Sequence, residues 1–417
     1  MSLIRSLFSI NKTEDKKYKI LTILGFKIKI KSISTLNAKK NNYYIAHESY
    51  INRKNKNVTR RLFITTGNYN LLNVLTLIKQ LNKRNCEDVL IIISHEQKSL
   101  FNKYNKMIAQ EHNFKRIIFL VGKNYKKKHK YFIKEGLYDF DEVYAATMGS
   151  APNIASDFYP KSKKYLIDEG VIGYIYQPKV NFNDFVAIYM HNYSNKIDYL
   201  GFDDKTIEKF QHLDKNIFNQ ITLNIQKRFP SLFSYRKEEK TILMCGTCAK
   251  FLGLNKIQYE EYIKKIVTKL NDCGYNVVFK PHPREIYNFN KMNVEQINTP
   301  MPLECFDLKN IVAVISFCSL TATQILYLRN IPGFQIDDLD YNIIQIPPLS
   351  KLHKIFFFEY TPSYKELLFD CKNMSFEEIH EKLNGKVQDY LQLKDNLSRN
   401  KNILEAAQDL DIRLMGE

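Results

Sequence analysis

From Arg61 onward the chain repeats one hydrophobic pattern: a short unbroken apolar run, then a longer stretch with apolar residues at helical spacing. The runs are Leu62-Phe63-Ile64-Thr65, Val89-Leu90-Ile91-Ile92-Ile93-Ser94, Arg116-Ile117-Ile118-Phe119-Leu120-Val121, Glu142-Val143-Tyr144-Ala145-Ala146 and Tyr165-Leu166-Ile167, with Leu71 to Leu81 the first helical stretch. Apolar runs that do not alternate with polar residues are strands buried on both faces, which is the signature of a parallel sheet covered by helices. Residues 175–235 mix polar and aromatic positions and read as helical connection ending near Pro230. A second series follows, with strands at Thr241-Ile242-Leu243-Met244, Asn276-Val277-Val278-Phe279, Val312-Ala313-Val314-Ile315 and Gly333-Phe334-Gln335-Ile336, and a helix over Tyr259 to Leu270. Ahead of both, Phe26-Lys27-Ile28-Lys29-Ile30-Lys31 alternates with period two, as a half-buried strand or hairpin does. Behind both, Ser375 and Glu378 have capping-box spacing and open an amphipathic helix expected to pack back across the domain junction.

The pattern therefore predicts the α/β class with two Rossmann-like domains facing each other across a cleft. Residues 1–60 form an N-terminal extension, 61–235 the first domain with its helical connection, 236–350 the second domain, and 351–417 a C-terminal helical segment. A length of 417 residues suits two domains plus extensions.

Charge changes the picture more than composition does. A formal net charge of +18 implies an anionic partner: nucleic acid, an anionic membrane surface or an acidic substrate. Residues 1–61 hold fifteen Lys/Arg against three acids, and Met1 to Ile10 offers a short apolar foothold. An anionic membrane surface is the expected partner of this end, although a solvated basic extension would read the same way. No apolar run reaches the roughly 18 residues of a spanning helix, so the chain is expected to be soluble or peripheral; its cysteines suit the cytoplasm, and its basic end suits the inner face of the cell membrane. The seven cysteines are scattered and odd in number, which reads as reduced thiols. Cys245-Gly246-Thr247-Cys248 lacks the second pair that a tetrahedral zinc site needs.

Three strand-end loops carry the candidate chemistry. Asp168-Glu169-Gly170 can turn one carboxylate inward as a general base, although a plain charged turn has the same sequence. Lys280-Pro281-His282-Pro283-Arg284 fixes a histidine between two prolines and flanks it with cations, which suits an anionic leaving group. Ser316-Phe317-Cys318-Ser319-Leu320-Thr321 opens a helix with hydroxyls, as a phosphate site or an ordinary N-cap would. Thr66-Gly67-Asn68 and Gly246-Thr247 are small-residue loops at the ends of the first strand of each domain.

In this order and spacing, the Asp168-Glu169-Gly170, His282-Pro283 and Ser316 to Thr321 motifs resemble those of bacterial sialyltransferases. They are most similar to the capsular polysialyltransferases of glycosyltransferase family 38 and next to the lipooligosaccharide sialyltransferases of family 52, over roughly residues 60–345. That resemblance implies a GT-B fold and metal-independent, inverting transfer of sialic acid from CMP-sialic acid to a hydroxyl of a cell-surface glycan, with no cofactor. It makes Asp168 the base, Glu169 its understudy, and His282 the group that protonates or neutralises the departing phosphate. Donor contacts would come from Lys280, Pro283, Arg284, Ser316, Ser319, Thr321, Gly246 and Thr247, in the second domain. Acceptor contacts would come from Thr66, Gly67, Asn68, Lys126, Lys127 and Lys128, the lysines suiting a polyanionic or lipid-linked glycan. Asp338-Leu339-Asp340 and Asp409-Leu410-Asp411 imitate a metal motif but read as surface acids.

The chain departs from the resemblance at Phe317-Cys318, where hydroxyl residues are expected, and at Val171-Ile172 after the acid loop. Another nonulosonic acid, or another activated sugar on the same fold, therefore stays open as donor. A non-catalytic nucleic-acid-binding protein would also be basic, and Tyr125-Lys126-Lys127-Lys128-His129-Lys130-Tyr131 interleaves aromatics with lysines. Two Rossmann-like domains with such loops argue against it, and no nucleic acid is expected as partner.

Overall fold

The computed structural model describes residues 8–12, 18–23, 26–31, 57–94, 99–121, 132, 136–147, 149–169, 181–191, 204–230, 239–247, 249, 254–282, 294–317, 319, 321–336 and 361–399. Strands β1 (Phe8–Lys12), β2 (Tyr18–Ile23) and β3 (Phe26–Lys31) form an antiparallel meander, in keeping with the period-two alternation of that segment. Strands β4 (Thr59–Thr65), β5 (Cys86–Ser94), β6 (Arg116–Val121), β7 (Glu142–Ala146), β8 (Lys163–Ile167), β9 (Ala187–Met190) and β10 (Phe210–His212) make one parallel sheet in the order β10-β9-β8-β7-β4-β5-β6. Strands β11 (Thr241–Cys245), β12 (Asn276–Lys280), β13 (Glu295–Gln296), β14 (Ile311–Ser316) and β15 (Gly333–Gln335) make a second, in the order β13-β12-β11-β14-β15. The described helices are α1 (Asn68–Leu81), α2 (Ser99–Ala109), α3 (Ala151–Phe158), α4 (Asp204–Ile207), α5 (Lys215–Arg228), α6 (Lys256–Asp272), α7 (Thr321–Arg329) and α8 (Phe376–Arg399). The protein is thus α/β, with two Rossmann-like parallel sheets.

Chain order reverses beside β4 in the first sheet and beside β11 in the second. Ligands in such sheets bind at the carboxyl ends of the strands around that reversal. The loops at the reversal itself follow β4, β5 and β7 in one unit and β11, β12 and β14 in the other, and β8 stands one strand farther out, beside β7.

Two corrections concern the connecting segments. Residues 175–235, expected as helical connection, also supply β9 and β10, which extend the first sheet from β8. β9 lies in the unbroken apolar run Phe185 to Met190, the same signature that marks the other buried strands, whereas β10, with a single apolar residue, carries no such signal. Helix α5 in the same stretch buries Phe218, Ile221 and Ile225 against α1 and against the 3-10 turn Leu303–Cys305 of the second unit. Each such side chain contributes about 1.5–3 kcal/mol of burial. Helix α8, expected across the junction, instead sends Ile379, Leu383 and Val387 into the core of the second unit beside Tyr364 and Leu367. Its capping box is present: Ser375 N–H donates to Glu378 Oε2 at 2.6 Å, and Glu378 N–H to Ser375 Oγ at 3.2 Å.

The first sheet is clamped by a buried charge cluster. Arg61 donates from Nε to Asp88 Oδ1 and from Nη2 to Oδ2, both at 2.7 Å, and His112 Nε2 lies 2.7 Å from the same Oδ2. Burial pushes the Asp88 carboxyl up, but the bonds to His112 and Arg61 outweigh it and hold it below the ordinary 3.8. A carboxyl so depressed contributes stability that is present above its unfolded pKa and lost as pH falls through the folded value. Asp88→Asn leaves Arg61 buried without its counter-charge and is expected to cost about 3–5 kcal/mol near neutrality. Denaturant melts from about pH 7 to about pH 3 should show a flatter acid limb in the variant; an unchanged limb would assign acid unfolding to other carboxylates.

Candidate active site

In the first unit the acid loop is held from three sides. Asp168 follows β8, is fully buried, and donates its N–H to the Tyr189 carbonyl at 2.8 Å. Its own carbonyl accepts from Asn70 Nδ2 at 2.9 Å and Asn73 Nδ2 at 2.8 Å, both on α1. Glu169 is half-buried, and its N–H donates to the Thr147 hydroxyl at 3.2 Å, beyond the end of β7.

The Glu169 carboxylate lies against the start of α1: a Cβ on Gly67 would stand 3.3 Å from Glu169 Oε1. Gly67 is the N-cap of α1 and offers no side-chain cap, so a carboxylate there meets the positive end of the helix. Thr66, Gly67 and Asn68, expected as acceptor contacts, are therefore neighbours of the acid loop. Lys126, Lys127 and Lys128 lie outside the described residues.

In the second unit, Gly246 and Thr247 leave the end of β11 against α6. Gly246 N–H donates to the Lys280 carbonyl at 2.9 Å, and Thr247 N–H to Tyr259 Oη at 3.0 Å. A Cβ at Gly246 would come within 2.8 Å of both Phe279 Cζ and Tyr259 Oη, so only glycine lets the loop lie this low. Cys245 beneath it is buried, and desolvation pushes its thiol up to about 12. This is a protonated, inert thiol; Cys248 lies outside the described residues. No group of three His, Cys, Asp or Glu stands ready for a metal among the described residues.

Two expected phosphate contacts turn out to face inward. Lys280 is buried, with Nζ 3.3 Å from the Thr299 carbonyl. Desolvation pushes its ammonium down from the usual lysine range, with Cys245 and Glu304 pulling the other way. It lies on the same face of β12 as Val278, and that face packs into the core shared with the first unit. Ser316 is also fully buried, donating to the Ser319 carbonyl at 2.9 Å and accepting from Ala322 N–H at 3.4 Å. Both residues shape their loops from below.

The groups left half-exposed are His282, just beyond β12, and Ser319 and Thr321 at the start of α7. The Ser319 and Thr321 hydroxyls are 2.8 Å apart, and Gln335 Nε2 fixes the Ser319 carbonyl at 2.7 Å. Pro283 and Arg284 lie outside the described residues.

The two sets of loops meet. Asn68 Nδ2 donates to the Pro300 carbonyl at 2.8 Å, and the preceding Thr299 carbonyl receives Lys280 Nζ. The contacts run from Glu169 to Gly67 and Asn68, across to Thr299-Pro300, and on to Lys280, two residues before His282. Sequence reasoning missed Asn70, Asn73 and His191, which back the acid loop. Their one signal is polarity inside apolar stretches: Asn70 and Asn73 interrupt Leu71 to Leu81 and its lead-in, and His191 ends the run Phe185 to Met190.

No family model matches the chain, and no curated protein does. Among solved structures it is similar to S. aureus MnaA in a co-structure with UDP (13% identity, 81% of this chain and 98% of that one, TM-score 0.48). It is also similar to the UDP-GlcNAc 2-epimerase of Neisseria meningitidis bound to UDP-GlcNAc (12%, 81% and 94%, TM-score 0.44). A third is E. coli ADP-heptose lps heptosyltransferase II (9%, 79% and 99%, TM-score 0.36).

Proposed function

We propose that the protein is an inverting glycosyltransferase of the GT-B kind that moves sialic acid from CMP-sialic acid to a hydroxyl of a cell-surface glycan, capsular or lipooligosaccharide. The observation that carries this reading is the line of contacts joining the acid loop after β8 to the His282 loop after β12, at the carboxyl ends of two facing parallel sheets. The motif order read from the sequence supports the choice of sugar. The acid loop takes the proton of the acceptor hydroxyl as its oxygen attacks the anomeric carbon, with Asp168 the base by motif order and Glu169 the one of the two acids that keeps exposed surface. The bond to the CMP phosphate breaks with its electron pair on the phosphate oxygen. His282 protonates or neutralises that oxygen, while the Ser319 and Thr321 hydroxyls and the first amides of α7 hold the phosphate. Lys280 and Ser316 keep these groups in place.

No described helix is long and apolar enough to cross a membrane. The basic N-terminal extension is the part proposed to meet an anionic membrane surface. Another nonulosonic acid is the second reading of the donor, favoured by Val171-Ile172 after the acid loop.

The test is incubation with CMP-sialic acid, with CMP-linked analogues and with UDP-sugars, following release of the nucleotide. CMP release is expected. UDP release alone would sink the donor class, and release from no sugar nucleotide would sink the transferase reading. EDTA is expected to leave the rate nearly unchanged; loss restored by magnesium would require a metal-assisted mechanism.

A further inference from the structure

We infer that Asn73 and His191 are positioning residues that hold the main chain of Asp168 from behind, an inference that rests on the proposed role of Asp168 as base. Asn70, Asn73 and His191 are all fully buried. Asn73 is engaged at both ends of its amide: Nδ2 donates to the Asp168 carbonyl at 2.8 Å, and Oδ1 lies 3.0 Å from His191 Nε2. With Nδ2 committed to a carbonyl, Oδ1 must accept, so His191 carries its proton on Nε2. Burial pushes the imidazole down to about 3, which keeps it neutral and a single donor throughout the working range.

The ring is fixed by packing. It meets Phe218 of α5 edge-on, with centroids 4.9 Å apart, and lies 6.0 Å from Tyr327 of α7. Asn70 adds a second amide, Nδ2 donating to the Ile167 and Asp168 carbonyls at 3.1 and 2.9 Å. Both main-chain polar groups of Asp168 are thereby bound, its N–H to Tyr189 and its carbonyl to two amides.

Enclosing two amides and an imidazole is unfavourable compared with leucines of similar size unless their hydrogen bonds are made. Here the bonds made converge on the turn from Ile167 into Asp168, where a displacement of about 1 Å in a reacting group can cost a hundredfold in rate. His191 also reaches α7, whose amino end holds the proposed phosphate. The same imidazole therefore touches the helix of one reacting partner and, through Asn73, the loop of the other.

The test compares His191→Phe, which keeps the ring against Phe218 but removes the Nε2 donor, with His191→Gln, which restores a donor. Two readouts are followed: hydrogen exchange of the peptide spanning 163–169, and kcat and donor KM for CMP-sialic acid. In His191→Phe the peptide is expected to exchange faster, and kcat to fall roughly ten- to a hundredfold with donor KM within about twofold. His191→Gln should recover most of both. If His191→Phe does not fold, Asn73→Asp, which sets an oxygen against the Asp168 carbonyl, should give the same pair of changes. Unchanged exchange in the folded variant overturns the inference whatever kcat does, as does failure of His191→Gln to recover either readout. Faster exchange, restored by Gln, in a protein that turns over no sugar nucleotide would uphold the positioning and sink the transferase reading.

Discussion

Asp168→Asn and His282→Ala are each expected to lower kcat by about two to four orders of magnitude, with the fold intact. Asn has the size and shape of Asp, so it keeps the buried volume and leaves untouched the main-chain bonds to Tyr189, Asn70 and Asn73. It removes the charge and replaces one carboxylate oxygen with an amide donor, so the basic group is lost. His282 lies beyond β12 and is half-buried, so its loss should spare the core while leaving the departing phosphate without its proton. Melting curves close to the parent, beside lost CMP release, are the expected pair of results. Full activity in either variant removes that residue from the mechanism. The local geometry names the alternative for the first: if Asp168→Asn is active and Glu169→Gln is not, the base is Glu169, whose carboxylate lies beside Gly67.

Gly333→Ala is expected to be the most damaging single methyl group in the second unit. A Cβ there would stand 2.5 Å from the carbonyl oxygen of Ala322 and 2.9 Å from its carbonyl carbon. These are main-chain atoms of the first turn of α7, so no side chain can move aside. Either β15 or the amino end of α7 must shift, which should cost about 1–3 kcal/mol in a denaturant melt. Ser319 and Thr321 sit at that end of α7, so donor KM should rise while acceptor KM stays put. A variant as stable as the parent would show that α7 yields without cost, and a rise in acceptor KM alone would separate α7 from the donor.

The sequence made the long buried strands legible because a strand covered on both faces has no polar positions to interrupt it. Arg116–Val121 and Glu142–Ala146 are continuous apolar runs but for their first residues, and their bounds match the observed strands. β10 was not legible, since Phe210–His212 holds a single apolar residue at the sheet edge, while β9 sits in the apolar run Phe185 to Met190 and does carry the strand signature. At the site, Asp168, Glu169 and His282 could be read because acids beside glycine and histidine between prolines are informative as neighbours in sequence.

The direction of a side chain could not be read. Lys280 and Ser316 carry the right chemistry at the ends of β12 and β14, but strand alternation points Lys280 into the shared core and the turn into α7 engages the Ser316 hydroxyl. Asn73 and His191 are 118 residues apart and meet only when β9 joins the sheet beside β8 and α1 packs over both.

Helix α5 has a bearing on how such a protein could be recombined. It fills the core beside α1 with Phe218, Ile221 and Ile225, yet its polar edge is tied to the carboxyl end of α7: Asn219 Nδ2 donates to the Leu328 carbonyl at 2.9 Å, and Arg329 Nη2 donates to Thr222 Oγ1 at 2.7 Å. A crossover placed between the two sheets, the natural cut for exchanging one unit for another, would part this helix from one of its two sets of partners wherever it fell. Functional hybrids should need either the parental α5 with the parental α7, or a matched substitution of the whole seam. On this arrangement the loops above the seam can be exchanged one at a time, while the two units are best moved together.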